Sequence, residues 1–284
     1  MGKKKYAVFT MDVERFSDTE CIANSKTKVD IDLLDGLDEY IELLDKYNIK
    51  STLFTVGDLA EQIKDILDVY LKHGHQLALH NYKHTAPINL SCEEFKEGVK
   101  NSKERLEKLF GKEIVGFRAP CFSMDNERID ILKNLGFKYD SSYLGFSKAR
   151  HTVKLNFKNY EKIYKNVYRD EDFFEFGISR QKIFGKPYPI SGGGYVRLFN
   201  WGVIKAVIKY YLRRNDYYVF YLHPFELSKK KIPVLKELKS YDKFYLKNGM
   251  TGYKRHIEQL IKILKKFDYT FITFEELTEK LSKK

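Results

Sequence analysis

His75–Thr85 reads HQLALHNYKHT and carries three of the chain's seven histidines. Leu77 and Leu79 alternate with neighbours on the opposite face, so the stretch 75–81 predicts a short strand that ends on His80. His84 follows four residues later. A buried strand that delivers one imidazole at its carboxyl end, with a second close behind, fits an α/β sheet that carries its chemistry on one rim.

Outward from this stretch, the same alternation of strand and helix recurs. Strands are expected at 5–13 (KYAVFTMDV), 49–57, 113–120 (EIVGFRAP), 137–142 (FKYDSS), 216–224 (DYYVFYLHP) and from 269. Helical spacing of apolar residues marks 31–47, 58–74, 91–111, 126–136, 201–214 and 254–267. The helix at 91 opens with a capping box, Ser91 and Glu94, and closes at Gly111. Residues 143–200 are less regular and include the glycine run 192–194. Strand and helix in alternation, about seven or eight times over, predict a parallel sheet, and 284 residues suit one (β/α) barrel domain over 1–284. A doubly wound open sheet is the alternative.

Composition excludes several classes. Hydrophobic residues make up 43% and aromatics 15%, which rules out a disordered chain. Cys21, Cys92 and Cys121 form no CxxC pair, against a thiolate zinc site or a disulfide framework. The apolar run 6–11 is shorter than an export signal requires, and no run reaches membrane-span length, so the sequence reads as cytoplasmic. The net charge is +12, with a dense lysine patch at 228–239. No nucleic-acid motif accompanies it, so no nucleic-acid partner is expected; the basic surface suits an anionic membrane at the periphery.

The polar residues of these strands share one end. Asp12 and Glu14 close the first, His80 the third, Arg118 the fourth, Asp140 the fifth and His223 the strand at 216. The carboxyl ends of parallel strands are where α/β proteins build their sites. His80, His84 and one carboxylate make a three-ligand set with open positions, the catalytic rather than the structural pattern. It requires the chain to turn helically after His80. Of Asp12 and Glu14, one ligates and the other serves as base. His223 before Pro224 is placed to donate a proton, Arg118 to pair with a carboxylate, and the Cys121 N–H to face an oxyanion. The Cys121 thiol lacks a partner base, and His73 and His75 read as structural. Ser191–Gly194 reads as a substrate loop or a tight turn.

FTMDVE, HGHQLALHNYKH, GFRAPCFSMD, YDSSYL and YLHPFEL occur in the order found in the polysaccharide deacetylases, the NodB-homology group also called carbohydrate esterase family 4, which this chain resembles from about residue 5 to 227. PISGGGYVRL and the D-V-E motif resemble the subgroup tied to exopolysaccharide systems. The resemblance implies a distorted (β/α) barrel of about seven strands. It implies a hydrolase that removes N-acetyl groups from an amino sugar of a glycan or glycan precursor through one divalent ion, most often zinc, with cobalt, nickel or iron as substitutes. It implies Asp12 as base, Glu14, His80 and His84 as metal ligands, Arg118 as the residue that positions the base, His223 as acid and the Cys121 N–H as oxyanion donor. Two departures stand out. Val13 occupies the place of the usual second aspartate. The tryptophan–aspartate motif that orients the acid is missing, which leaves Glu175 or Asp140 as substitutes. A small-molecule amidohydrolase and a non-catalytic glycan-binding protein are the other readings.

Overall fold

The computed structural model describes residues 4–25, 29, 31–145, 155–233 and 236–283. Its strands are β1 (Lys5–Val13), β2 (Ser51–Thr55), β3 (Gln76–Leu79), β4 (Gly116–Phe117), β5 (Tyr139–Asp140), β6 (Glu161–Tyr164), β7 (Val167–Asp170), β8 (Phe173–Phe176), β9 (Arg180–Ile183), β10 (Lys186–Pro189), β11 (Tyr217–Leu222) and β12 (Tyr269–Phe271). The main sheet runs β11-β1-β2-β3-β4-β5-β8-β7-β6, with β12 on the lower part of β1. From β11 to β8, seven strands are parallel in unbroken succession. The curled parallel sheet is the expected distorted (β/α) half-barrel. The stretch described as irregular in sequence adds antiparallel β7 and β6 beyond β8, and the β9–β10 hairpin.

Helices α1 (Glu20–Ala23), α2 (Gly36–Tyr47), α3 (Lys64–Lys72), α4 (Cys92–Phe110), α5 (Asn126–Asn134), α6 (Gly193–Leu198), α7 (Trp201–Leu212), α8 (Ser240–Lys247), α9 (Tyr253–Lys266) and α10 (Phe274–Ser282) fill the connections. The capping box at Ser91 forms: Ser91 N–H donates to Glu94 at 2.7 Å, and Glu94 N–H to Ser91 Oγ at 3.2 Å. Gly111 ends α4 at φ +61°.

β1, β2, β3 and β11 are buried along nearly their whole length, as expected of a parallel sheet covered on both faces. Alternation along β1 assigns the faces. Ala7, Phe9, Met11 and Val13 join the core under the helices. Tyr6 and Val8 pack inside the barrel with Phe54, Ala78, Tyr139, Phe176, Tyr217 and Phe274. Phe274 N–H donates to Thr52 Oγ1 and Glu275 N–H to Gln76 Oε1, so α10 closes the amino end of the barrel. The inward set continues upward as Thr10, Asp12 and Glu14. The barrel interior is therefore apolar below and polar at the carboxyl rim.

The glycine run lies against β11. Among the described residues β8 and β11 share no ladder. The gap is bridged by the chain after β8: Ser179 Oγ accepts from Val219 N–H at 3.0 Å, Tyr221 N–H donates to Ser191 O at 2.8 Å, and Gly192 bridges Tyr221. A Cβ at Gly192 would fall 2.0 Å from Tyr221 O, at φ +129°. Only glycine lets the backbone lie this close.

Several lysines of the basic patch are engaged locally. Lys229 pairs with Glu39, Lys230 donates to Asp32 O, and Ser228 bonds Asp35. Residues 234 and 235 of the patch lie outside the described residues. Among the described residues no helix is long and apolar enough to cross a membrane.

Candidate metal and catalytic site

Asp12, Glu14, His80, His84, Cys121 and His223 line one cavity of about 290 Å³ at the carboxyl rim of the sheet. Ala119, Phe122, Tyr221 and Phe225 form much of its apolar wall, and Glu20, Tyr241, Asp242 and Tyr245 come from α1 and α8. Arg118 lies behind the wall, fully buried.

Glu14, His80 and His84 each bring a ligand atom within 4.8 Å of the others. Glu14 Oε2 stands 2.6 Å from His84 Nε2 and 3.8 Å from His80 Nε2. Glu14 Oε2 is buried and, apart from this ion pair with His84, has no hydrogen-bond partner. His80 Nδ1 lies 2.7 Å from Arg118 O, an acceptor, so Nδ1 carries the proton and Nε2 offers its lone pair toward Glu14. Two imidazole nitrogens and a carboxylate oxygen, His84 half-buried and the other two buried, are a donor set that fits a divalent ion of the zinc type.

The electrostatics agree. Burial alone would raise the Glu14 pKa, but His84, His223 and His80 together bring it down to about 2. Burial lowers His80 to about 4, which keeps it neutral and able to ligate. His84 is raised because Glu14 outweighs burial. Glu14 thus stays ionised and favours a positive charge beside it.

The turn after His80 is not helical, contrary to the sequence reading. Asn81 adopts φ +64°, its Oδ1 accepts from Tyr82 N–H, and its Nδ2 donates to Thr85 O at 2.9 Å. Asparagine tolerates this left-handed conformation, and its amide ties the turn that returns His84 to His80, ring centroids 5.3 Å apart. Val13 points into the helix-side core, fully buried, so it takes no part in the site. With a two-residue period, Asp12 and Glu14 both face inward.

Asp12 belongs to a different pair. Arg118 Nη1 donates to Asp12 Oδ1 at 2.6 Å and to Thr10 Oγ1 at 2.9 Å. Arg118 is held by Ser141 through O and Oγ, and stacks on the Phe54 ring at 4.1 Å.

His223 is oriented by Glu226, not by Glu175 or Asp140. Glu226 Oε2 accepts the His223 backbone N–H at 3.0 Å and faces its Nδ1 at 3.2 Å. Its other oxygen accepts from Arg197 Nε at 2.8 Å, and both side chains of that pair are fully buried. Burial would lower the His223 pKa, but Glu226 and Glu14 raise it to about 9. The signal for Glu226 was present as H-P-F-E, a spacing of three across a proline turn. Arg197, from α6, carried no such signal.

Asp140 and Glu175 form a second buried centre. Glu175 Oε1 accepts from Ser142 N–H and Tyr143 N–H at 3.1 and 2.9 Å. Ser142 Oγ donates to Asp140 at 2.7 Å and accepts from Ala119 N–H at 2.8 Å. Burial raises both carboxyls, Asp140 to about 6 and Glu175 well above its ordinary value, so the pair holds a proton between them.

Cys121 and Phe122 both have positive φ, +56° and +55°. The turn's own bonds come from Phe122 N–H and Ser123 N–H, which leaves the Cys121 N–H out of it. Burial and the carboxylates of Glu20 and Glu14 push the Cys121 thiol far up, so it stays protonated. His75 accepts Ser51 N–H and His73 pairs with Asp45, as structural histidines.

The polysaccharide deacetylase family model matches residues 30–139, and a domain of unknown function (DUF3473) matches 141–279. His80, His84 and Arg118 fall in the first match, His223 in the second; Asp12 and Glu14 precede both. A peptidoglycan deacetylase of Helicobacter pylori is 28% identical over 109 residues, 38% of this chain and 37% of that protein. A peptidoglycan deacetylase-like protein of Gibberella zeae is 31% identical over 112 residues, 39% of this chain and 33% of that protein. The chain thus spans about a third of the length of these relatives. Among solved structures, one described as a polysaccharide deacetylase from Mycobacterium smegmatis superposes with a TM-score of 0.61 at 16% identity, covering 99% of this chain and 91% of that one. A CE4-family pseudoenzyme from Bacillus anthracis superposes at 0.56 with 12% identity, covering 98% of this chain and 66% of that one. At these identities the superpositions speak to the fold alone. Fold, rim chemistry and the matched family model agree: residues 30–139 carry the polysaccharide deacetylase match, and the whole chain has the fold of the carbohydrate esterase family 4 structures it superposes on.

Proposed function

We propose that this chain, as one catalytic unit, is a metal-dependent carbohydrate N-deacetylase that hydrolyses the N-acetyl group of an amino sugar in a glycan or glycan precursor. The observation that carries the reading is the convergence of three separate pairings on one cavity: Glu14 with His80 and His84, Asp12 with Arg118, and His223 with Glu226. We read D-V-E as the first motif of the exopolysaccharide-associated subgroup, with Glu14 taking the ligand role that Val13 cannot fill.

Glu14, His80 and His84 would hold the ion, zinc by donor chemistry, which supplies Lewis acidity toward an amide oxygen and toward water. The rest falls to the chain's own groups. Asp12, an acceptor fixed by Arg118, takes a proton from the attacking water. The Cys121 N–H donates to the oxygen that gains charge as the carbonyl carbon becomes tetrahedral. His223, kept protonated by Glu226, gives its proton to the departing nitrogen as the carbon–nitrogen bond breaks. Acetate and a free amino sugar result. Phe122, Tyr221 and Phe225 keep the rim apolar and limit competing water.

The test is acetate release from N-acetylglucosamine oligomers by zinc-loaded protein, with Asp12→Asn as control. Metal-dependent release, lost in the variant, supports the reading. Stoichiometric zinc with no acetate release across N-acetylated glycans would move the protein to a binding role.

A further inference from the structure

A second cavity, of about 330 Å³, opens beyond the carboxyl end of β8, between the β6–β7 turn and the β9–β10 hairpin. Lys162, Lys165, Arg180 and Lys182 line it, with the side-chain amides of Asn166 and Gln181. Among the described residues no carboxylate lines it. Two acids of β6 and β7 are paired elsewhere: Glu161 with Arg169 at 2.8 Å and Asp170 with Lys133 at 2.5 Å.

Arg180 is fixed in place. Its Nη1 donates to Leu144 O at 3.0 Å, its Nη2 to Tyr143 Oη at 3.2 Å, and its Cζ lies 4.7 Å from the centroid of the Tyr143 ring. A Cβ at Gly145, at φ +73°, would fall 1.3 Å from Nη1, so the guanidinium rests in a place only glycine leaves open. Each nitrogen still has donors to spare. Lys165 lies 4.7 Å from the centroid of the Tyr211 ring. Burial and the charges of Arg180, Lys162 and Lys182 lower its pKa. Four like charges around one concavity repel, and a bound anion relieves them.

We propose that this cavity is a second binding site, separate from the one at Glu14, for a multiply charged oxyanion. A planar guanidinium with flanking ammonium groups and two amides suits a phosphate ester or a carboxylated sugar chain. The site stands whether or not the first cavity hydrolyses amides.

The test is isothermal titration calorimetry of the full chain at low salt, with sodium pyrophosphate in one arm and an oligogalacturonate in the other. Lys165→Glu and Lys182→Glu are the site variants. Lys262→Glu on α9 controls for net charge, and His84→Ala for binding through the metal site. Saturable binding of one ligand per chain is expected in at least one arm, weakened tenfold or more by each site variant and unchanged in both controls. Pyrophosphate alone binding assigns a phosphate source; the oligogalacturonate alone assigns a carboxylated glycan. No saturable binding in either arm overturns the proposal, as does equal weakening by Lys262→Glu or loss in His84→Ala.

Discussion

Glu226 holds His223 with one carboxylate oxygen and Arg197 with the other, at 3.2 and 2.8 Å. His223 is thereby tied to α6 through a buried ion pair. Glu226→Gln removes the charge that raises His223, so the His223 pKa should fall from about 9 toward its ordinary value near 6.5. Because the folded pKa is raised, His223 stabilises the fold fully below about pH 6.5, and that contribution fades as pH rises through about 9. NMR titration of the His223 ring in wild type and variant reads the shift. An unchanged pKa would remove Glu226 from this role.

Asp12 and Arg118 predict a split between stability and chemistry. Arg118→Ala leaves a buried carboxylate unpaired and should cost about 3–5 kcal/mol in denaturant unfolding. Asp12→Asn keeps a hydrogen-bond acceptor for Arg118 and should lose much less stability, while kcat falls by about 10²–10⁴. Metal content should be unchanged in Asp12→Asn, since Glu14 carries the ligand role.

Glu175 shares a proton with Asp140, so Glu175→Gln should be well tolerated. The amide can donate where the acid did and still accept from Ser142 and Tyr143. Wild type should lose stability as pH climbs from about 4.5, where unfolded Glu175 releases its proton, up to its raised folded pKa. Glu175→Gln should lack that slope. Unfolding curves across pH test both; severe destabilisation by Glu175→Gln at pH 6 would contradict the shared proton.

Cys121 is assigned a backbone role. Cys121→Gly and Cys121→Ser should keep kcat within a few-fold, glycine because it accepts φ +56° without strain. Wild-type Cys121 should react slowly with iodoacetamide, its thiol held protonated by burial and by Glu20 and Glu14. Loss of activity in both variants would give the thiol a direct part.

Much of this was legible in the sequence because buried strands have a strict period and their ends collect polar residues. Asp12, Glu14, His80, Arg118 and His223 were placed by that rule, and the family resemblance supplied their roles. What the sequence hid depends on packing between distant segments. Arg197 reaches Glu226 across 29 positions, and no local pattern marks it. Asp140 and Glu175 were suited to His223 by residue type alone; the β5–β8 pairing turns them toward each other and the loop of Ser142 instead. A spacing of four suggests a helical turn at Asn81, whereas a left-handed asparagine brings the two rings together as well. The glycine run closes the barrel, a role set by the missing β8–β11 ladder and invisible in the residues themselves.

The central claim is that Glu14, His80 and His84 hold one divalent ion, with Glu14 in the place Val13 leaves unfilled. Elemental analysis of zinc-dialysed wild type, Glu14→Ala and His80→Ala tests it directly. The account predicts close to one ion per chain in wild type and loss of it in both variants. No ion in wild type, or an ion that survives Glu14→Ala, would contradict it.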